Sequence, residues 1–401
     1  MVRWTKERPA SRLALLLLLA MIAAACGGDT TDDTTATTAA GETTTTAGPD
    51  ETTTTAGPVE ETTTTAGEEP VERASITFAL TNQRAPQYYS YYLAQELGFF
   101  DEEGLDVEIV IVQGSSAAVQ QIIAGNVDIG HPSAPATAQA VSQGNCLKQF
   151  YSYSHQNVFG LATPADSDIQ SIADLAGTTV GVSEPGGGEV PLVRAILASA
   201  GLAEGTDYQI QGIGEGGGLT LQALERGDAQ SYSSSVFDVA SIEAAGMPLR
   251  QIMPEEFLYF PSVAQVATCE AFDANKDVFA RFARAVTKAT VWTEGNEEAA
   301  LEIIKGVEPE LFEDEALGIA FWEATQQMNA FPANLEGALY GAHNREGWEL
   351  FVDFASQGTE EEGALNADAV DLDALLTDEI LEAANDFDQD AVRAAAAAYA
   401  G

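Results

Sequence analysis

Residues 98–110 read GFFDEEGLDVEIV, and within this stretch the periodicity of the chain changes twice. Upstream, Tyr88, Tyr92, Leu93 and Leu97 recur at helical spacing, so the segment from Pro86 predicts a helix that Gly98 ends. Phe99 and Phe100 then anchor a turn whose acids, Asp101 to Glu103, are expected to face water. LDVEIVIV (105–112) alternates before becoming fully apolar, as a strand entering a buried sheet does. The stretch predicts a helix-to-strand joint of an α/β fold. Its short turn sets the next loop, QGSSA (113–117), at the far end of that strand.

The same rhythm extends in both directions. SITFAL (75–80) predicts the preceding strand. SSAAVQQIIAGN (115–126) predicts a helix with serines at its N-cap and Gly125 at its C-cap. VDIGHPS (127–133) predicts a strand, APATAQAVSQG (134–144) a helix and LKQFYSYSH (147–155) a strand. The pattern then restarts, with strands expected in TTVGVSE (178–184), DYQIQGIG (207–214), DAQSYSSS (228–235), LRQIMP (249–254) and PSVAQVATC (261–269). Helices are expected between these strands, and the remainder reads as largely helical. Alternation of this kind predicts mostly parallel sheets covered on both faces, and two runs of it predict two lobes. The first lobe is expected over 74–168 and 262–357, and the second over 169–261. Hinge crossings are placed near 165–170 and 260–264, and an acidic, helical segment at 358–401.

The amino terminus reads as an address. MVRWTKERPASR (1–12) is basic, LALLLLLAMIAAA (13–25) is apolar, and Cys26 follows three alanines. The apolar run falls short of the ~20 residues a membrane helix needs, so residues 1–25 are expected to be a signal peptide. Small residues before a cysteine resemble a bacterial lipoprotein signal, which implies lipid on Cys26. Residues 26–73 repeat Thr, Glu, Gly and Pro with almost no large apolar side chain, a composition that suits a flexible tether and not a core.

The chain of 401 residues carries 17 Lys+Arg against 62 Asp+Glu, a formal net charge of −45. Such a surface repels phosphate backbones and anionic headgroups, so nucleic acid is not an expected partner, and contact with a membrane is expected through the N-terminal lipid only. Cys146 and Cys269 permit one disulfide outside the cytoplasm, or two buried thiols.

Four pieces in order carry a family resemblance: YYLAQELGFFDEEGLDVEIV (91–110), GSSAAVQQIIAGNVDIG (114–130), SIADLAGTTVGV (171–182) and LQALERGDAQ (221–230). Together they resemble the substrate-binding proteins of ABC importers for nitrate, sulfonates, taurine and thiamine-pyrimidine precursors. The resemblance runs from about Ser75 to Gln357. It implies a two-lobed α/β receptor of the type II periplasmic-binding-protein fold, with a hinge and a ligand cleft. Such a receptor is a monomer that delivers a small solute to permease subunits and needs no cofactor.

In open α/β sheets ligands bind beyond the carboxyl ends of the strands, which nominates the loops there. Asn82, Gln83 and Tyr88 follow the first strand; Ser115 and Ser116 open a helix where free N–H groups seat polar groups; Ser133 and His155 end later strands. In the second half, Glu184 and Gly187 sit in SEPGGGE, Glu215 in GIGEGGG, and Ser234 and Asp238 end a strand and start its helix. Gly212–Gly217 matches G-x-G-x-x-G, a weak pattern in an exported chain. No H-x-x-x-H, C-x-x-C or G-x-S-x-G occurs, and Ala391 breaks the calcium-loop spacing of Asp386, Asp388 and Asp390, so no metal is expected. An enzyme on the same scaffold, related to thiamine-pyrimidine synthesis, and a stalked adhesion module are the alternatives. The few basic residues near the cleft, Arg84 foremost, favour a neutral or amine-bearing solute over a bare anion.

Overall fold

A computed structural model describes residues 72–185, 189–356 and 365–401. The signal peptide, Cys26, nearly all of the tether and Gly187 lie outside the described residues.

In β1 (Ala74–Leu80), Ile76, Phe78 and Leu80 enter one apolar cluster and Ala79 enters another, and all four are buried. A strand covered on both faces suits the interior of a parallel sheet. β1 accordingly pairs in parallel with β2 (Leu105–Ile111) on one side and β3 (Ile129–Gly130) on the other. The remaining strands are β4 (Leu147–Ser152), β5 (Phe159–Pro164), β6 (Thr179–Val182), β7 (Gln209–Gly212), β8 (Ser231–Ser235), β9 (Leu249–Gln251) and β10 (Ala264–Thr268). They form two sheets, ordered β2-β1-β3-β10-β4 and β7-β6-β8-β5-β9.

Each sheet holds one reversed strand. β10 is antiparallel to β3 and β4, and β5 is antiparallel to β8 and β9. Both are the first strand after the chain crosses from the other sheet. A strand that enters at the edge where its neighbours end must run against them, so the reversal follows from the crossing. The first crossing lies between Ser152 and Phe159, not near 165–170. FGLATP (159–164) is short and ends in proline, which hid a strand that pairs with both β8 and β9. The return lies between Gln251 and Ala264.

The helices that matter below are α1 (Tyr89–Glu96), α2 (Ser115–Ile123), α3 (Ala134–Ser142), α4 (Val190–Ser199), α5 (Gly217–Glu225), α6 (Val236–Ala244), α7 (Lys276–Gly295), α8 (Glu297–Val307), α9 (Glu315–Asn329), α10 (Arg345–Ala355) and α11 (Gln389–Ala397). The C-terminal segment is built into the first core: Leu381, Ala384 and Ala396 are buried in the cluster that holds β1 and α7.

Gly98 takes φ 78°, a left-handed conformation that costs glycine little, and α1 stops there. Phe99 and Phe100 are buried as expected. The acids do not all face water. Glu103 is buried and accepts from Arg284 at 2.6 Å and Lys288 at 2.8 Å, both on α7. Burial raises its carboxyl, but the two cations outweigh that and hold it below the usual carboxylate range.

Cys146 and Cys269 are bridged, with their Cα atoms 5.4 Å apart. They flank the pair Leu147↔Thr268, so the bond staples the start of β4 to the end of β10. Every strand of the second sheet lies within the loop it closes.

Candidate cleft between the two sheets

The loops at the carboxyl ends of β1 and β8 meet. Beyond β8, the Oδ2 of Asp238 accepts from the hydroxyls of Ser234 and Ser235, each at 2.7 Å, and Ser235 in turn caps α6 by accepting from the Asp238 N–H. These bonds aim Oδ1 at Arg84, whose guanidinium lies 3.7 Å away in the loop after β1. The Arg84 guanidinium also lies over Phe237 of α6, at 5.8 Å from the ring centre, and over Phe321 of α9, at 5.4 Å. One cation is thus held by a carboxylate and two aromatic faces.

The first-sheet wall is hydroxyl- and amide-rich. The Ser115 hydroxyl, at the first residue of α2, accepts from the Ser133 N–H at 3.0 Å and joins two of the nominated loops. Gly114, not a serine, is the N-cap of α2. Asn82 donates to Gln87 at 3.3 Å, and its buried Oδ1 has no partner. Next to Arg84, the Ala85 N–H donates to Glu308 at 2.6 Å. Burial raises the Glu308 carboxyl, an effect partly offset by that N–H and by Arg84. Arg84 therefore pairs with Asp238 and has the Glu308 carboxyl nearby, so less of its charge is left for an anion.

A family model described as NMT1/THI5 like matches residues 85–300, more than half of the chain. The chain belongs to this family. The formylaminopyrimidine-binding protein of Halalkalibacterium halodurans is 27% identical over 222 residues, which are 53% of this chain and 64% of that protein. The 4-amino-5-hydroxymethyl-2-methylpyrimidine phosphate synthase of Schizosaccharomyces pombe is 28% identical over 106 residues, 26% of this chain and 31% of that protein. The chain thus spans less than two thirds of either curated relative. Among solved structures, the periplasmic aliphatic sulphonate binding protein SsuA of Escherichia coli superposes with a TM-score of 0.54 at 14% identity, covering 73% of this chain and 94% of that one. The fold is that of the periplasmic binding proteins. Among the described residues, no helix is long and apolar enough to cross a membrane.

This NMT1/THI5-like chain departs from several expectations at its nominated residues. Tyr88 is fully buried; its hydroxyl pairs with Thr81 at 2.9 Å and its ring meets His131 edge-on, so it belongs to the core and not to a ligand platform. His155 lies outside the cleft. It is 5% exposed, its ring stacks on Phe331, and burial pushes it down to about 4, so it stays neutral at ordinary pH. Gln83, Ser116, Glu184 and Glu215 are exposed.

The carboxylate that organises the loop after β6 is Glu189, which accepts from the Ser183 N–H at 2.8 Å and from its hydroxyl. It is 2% exposed, and only its place just before α4 hinted at the role. The glycine run serves packing: the N–H groups of Gly216 and Gly217 are spent on Tyr232 and Ser241. A side chain at Gly216, which has φ 72°, would collide with Ser241 and with the Asp238 backbone. The N–H groups that a dinucleotide phosphate would need are already used.

Among the described residues, Arg84–Asp238 is the one ion pair that joins the two sheets' loops. Arg84→Ala is expected to loosen the closed arrangement and raise the radius of gyration of ligand-free protein in small-angle X-ray scattering. An unchanged radius would show that the pair does not hold the halves together.

Proposed function

We propose that this protein is an extracytoplasmic solute receptor of an ABC importer, held to the membrane by lipid on Cys26. It captures a small organic solute by hinge closure and hands it to the permease. The observation that carries this reading is the meeting of the β1 and β8 loops across the two sheets, through Arg84 and Asp238. Two crossings at one edge make a hinge, and the hydroxyls of Ser115, Ser133, Ser234 and Ser235 with the unpartnered Asn82 Oδ1 supply groups that read a polar ligand. The solute is a neutral or amine-bearing heterocycle, because Asp238 already pairs with Arg84. The similarity to a formylaminopyrimidine-binding protein supports that class.

The test is a thermal-shift panel of aminopyrimidines, aliphatic sulfonates and nitrate. A solute at a hundred times its Kd stabilises the native state by ~2.7 kcal/mol. An aminopyrimidine is expected to raise the melting temperature, and Asp238→Ala to weaken its binding about tenfold or more. A shift with sulfonates alone would overturn the solute class. The similarity to a synthase keeps an enzyme on this scaffold as the second reading; consumption of the solute by purified protein would establish it and end the receptor reading.

A further inference from the structure

A second cavity lies beside the end of β4. It has a volume of about 300 Å³, and none of its lining residues belongs to β5–β9 or to α4–α6. Tyr89 of α1, the end of β4 and the residues after it, the ends of α7 and α9, and Phe331 and Tyr340 enclose it. From the cavity wall and its unpaired polar atoms, we propose that the protein has a second binding site here, for a small protonated amine that carries an aromatic ring and a hydrogen-bond acceptor.

The chemistry of the wall selects that class. Deep in the site, His155 is 5% exposed and its Nδ1 has no hydrogen-bond partner, and neither has the buried Nε2 of Gln326 on α9. Both line the cavity. An amide N–H left without an acceptor costs about 1–3 kcal/mol, and a ligand oxygen or ring nitrogen would recover it. At the rim stand two carboxylates that differ. Glu294 is already engaged, by the Tyr340 hydroxyl at 2.5 Å and by Arg393 at 3.0 Å. Glu297 accepts from the Trp322 indole N–H through Oε1 at 2.8 Å, and among the described residues no cation pairs with it. Its second oxygen is the natural seat of an ammonium group. Tyr89, Phe331 and Tyr340 add aromatic surface, which favours both a ring and a cation. His155 is neutral at ordinary pH and does not oppose the positive charge.

Tyramine and 4-hydroxyphenylacetate share a skeleton and differ in the sign of the charged end, and they test this with the purified chain by isothermal titration calorimetry. Tyramine is expected to bind saturably at millimolar concentration and 4-hydroxyphenylacetate not at all. Glu297→Gln, which can still accept from Trp322, is expected to weaken tyramine about tenfold, and Gln326→Ala severalfold. Asp238→Ala, which disables the cleft, is expected to leave tyramine affinity within about twofold, since Asp238 does not line the cavity. The proposal is overturned if tyramine fails to saturate, if the acid binds as well as the amine, or if Asp238→Ala removes binding while Glu297→Gln does not. The first two outcomes leave the proposed cleft receptor untouched, whereas the third would place the amine in the cleft and so separates failure of this site from failure of that reading.

Discussion

Glu103→Ala should lower the melting temperature at pH 7 by roughly 4–5 °C. The Glu103 side chain is 8% exposed, and it faces Arg284 and Lys288, 21% and 15% exposed. Removing one partner of a buried pair costs about 3–5 kcal/mol because the remaining charge is stranded. The lower end applies here: Lys288 keeps Glu102 at 3.2 Å, and Arg284 keeps the Ala383 carbonyl at 2.8 Å. For a folded body of this size ~3 kcal/mol corresponds to the stated shift.

The pH dependence supplies an independent check. Because the Glu103 carboxyl is held below its unfolded value, its contribution is complete above ~pH 4.3 and is lost as the pH falls through the folded value. The gap between wild type and Glu103→Ala should therefore narrow on going from pH 7 to pH 3.5. Burial pushes His131 down to about 3 and His155 to about 4, so both proteins also lose stability as the pH falls below ~6.5. That loss is common to the pair and cancels in the difference. A gap that stays constant, measured by differential scanning calorimetry, would show that the ion pair is not the source of the stability.

Replacing both bridged cysteines by serine should cost about as much, and by a different route. The bond between Cys146 and Cys269 closes a loop with a sequence separation of 123. On the chain-entropy account such a loop restricts the unfolded state by roughly 5 kcal/mol, and measured effects are usually about 2–4 kcal/mol. A fall in melting temperature of roughly 3–6 °C follows. The staple joins the start of β4 to the end of β10, whereas the cleft lies past the other ends of these strands. Solute affinity should therefore change by less than about threefold. Lost affinity at an unchanged melting temperature would show instead that the bond shapes the cleft. Together the two substitutions separate native-state pairing from unfolded-state restriction, since only the first carries a pH signature.

The opening stretch shows what local reading can and cannot reach. Gly98, Phe99, Phe100 and the start of β2 follow from periodicity and from the backbone freedom of glycine, and the structure bears them out. The burial of Glu103 does not follow, because its partners are 181 and 185 residues further on. Tyr88 and His155 fail for a related reason. Spacing puts aromatic residues on one side of a helix or at the end of a strand, but the rotation of that element against its neighbours decides between core and cleft. In the pairing of Ser115 with Ser133, and of Ser234 with Asp238, the nominated loops are brought together.

From the sequence by itself came the order of the helices and of every strand but β5, the division into two halves, the family and the two cysteines free to pair. These depend on hydrophobic periodicity, caps and turns, which act over a few residues. The tertiary structure alone decided that FGLATP is a reversed strand of the second sheet, that Arg84 is clasped by Asp238 and two phenylalanines, and that His155 faces a separate cavity. Each of these joins residues distant in the chain, and such pairings are set by how whole elements pack, which no short window of sequence contains.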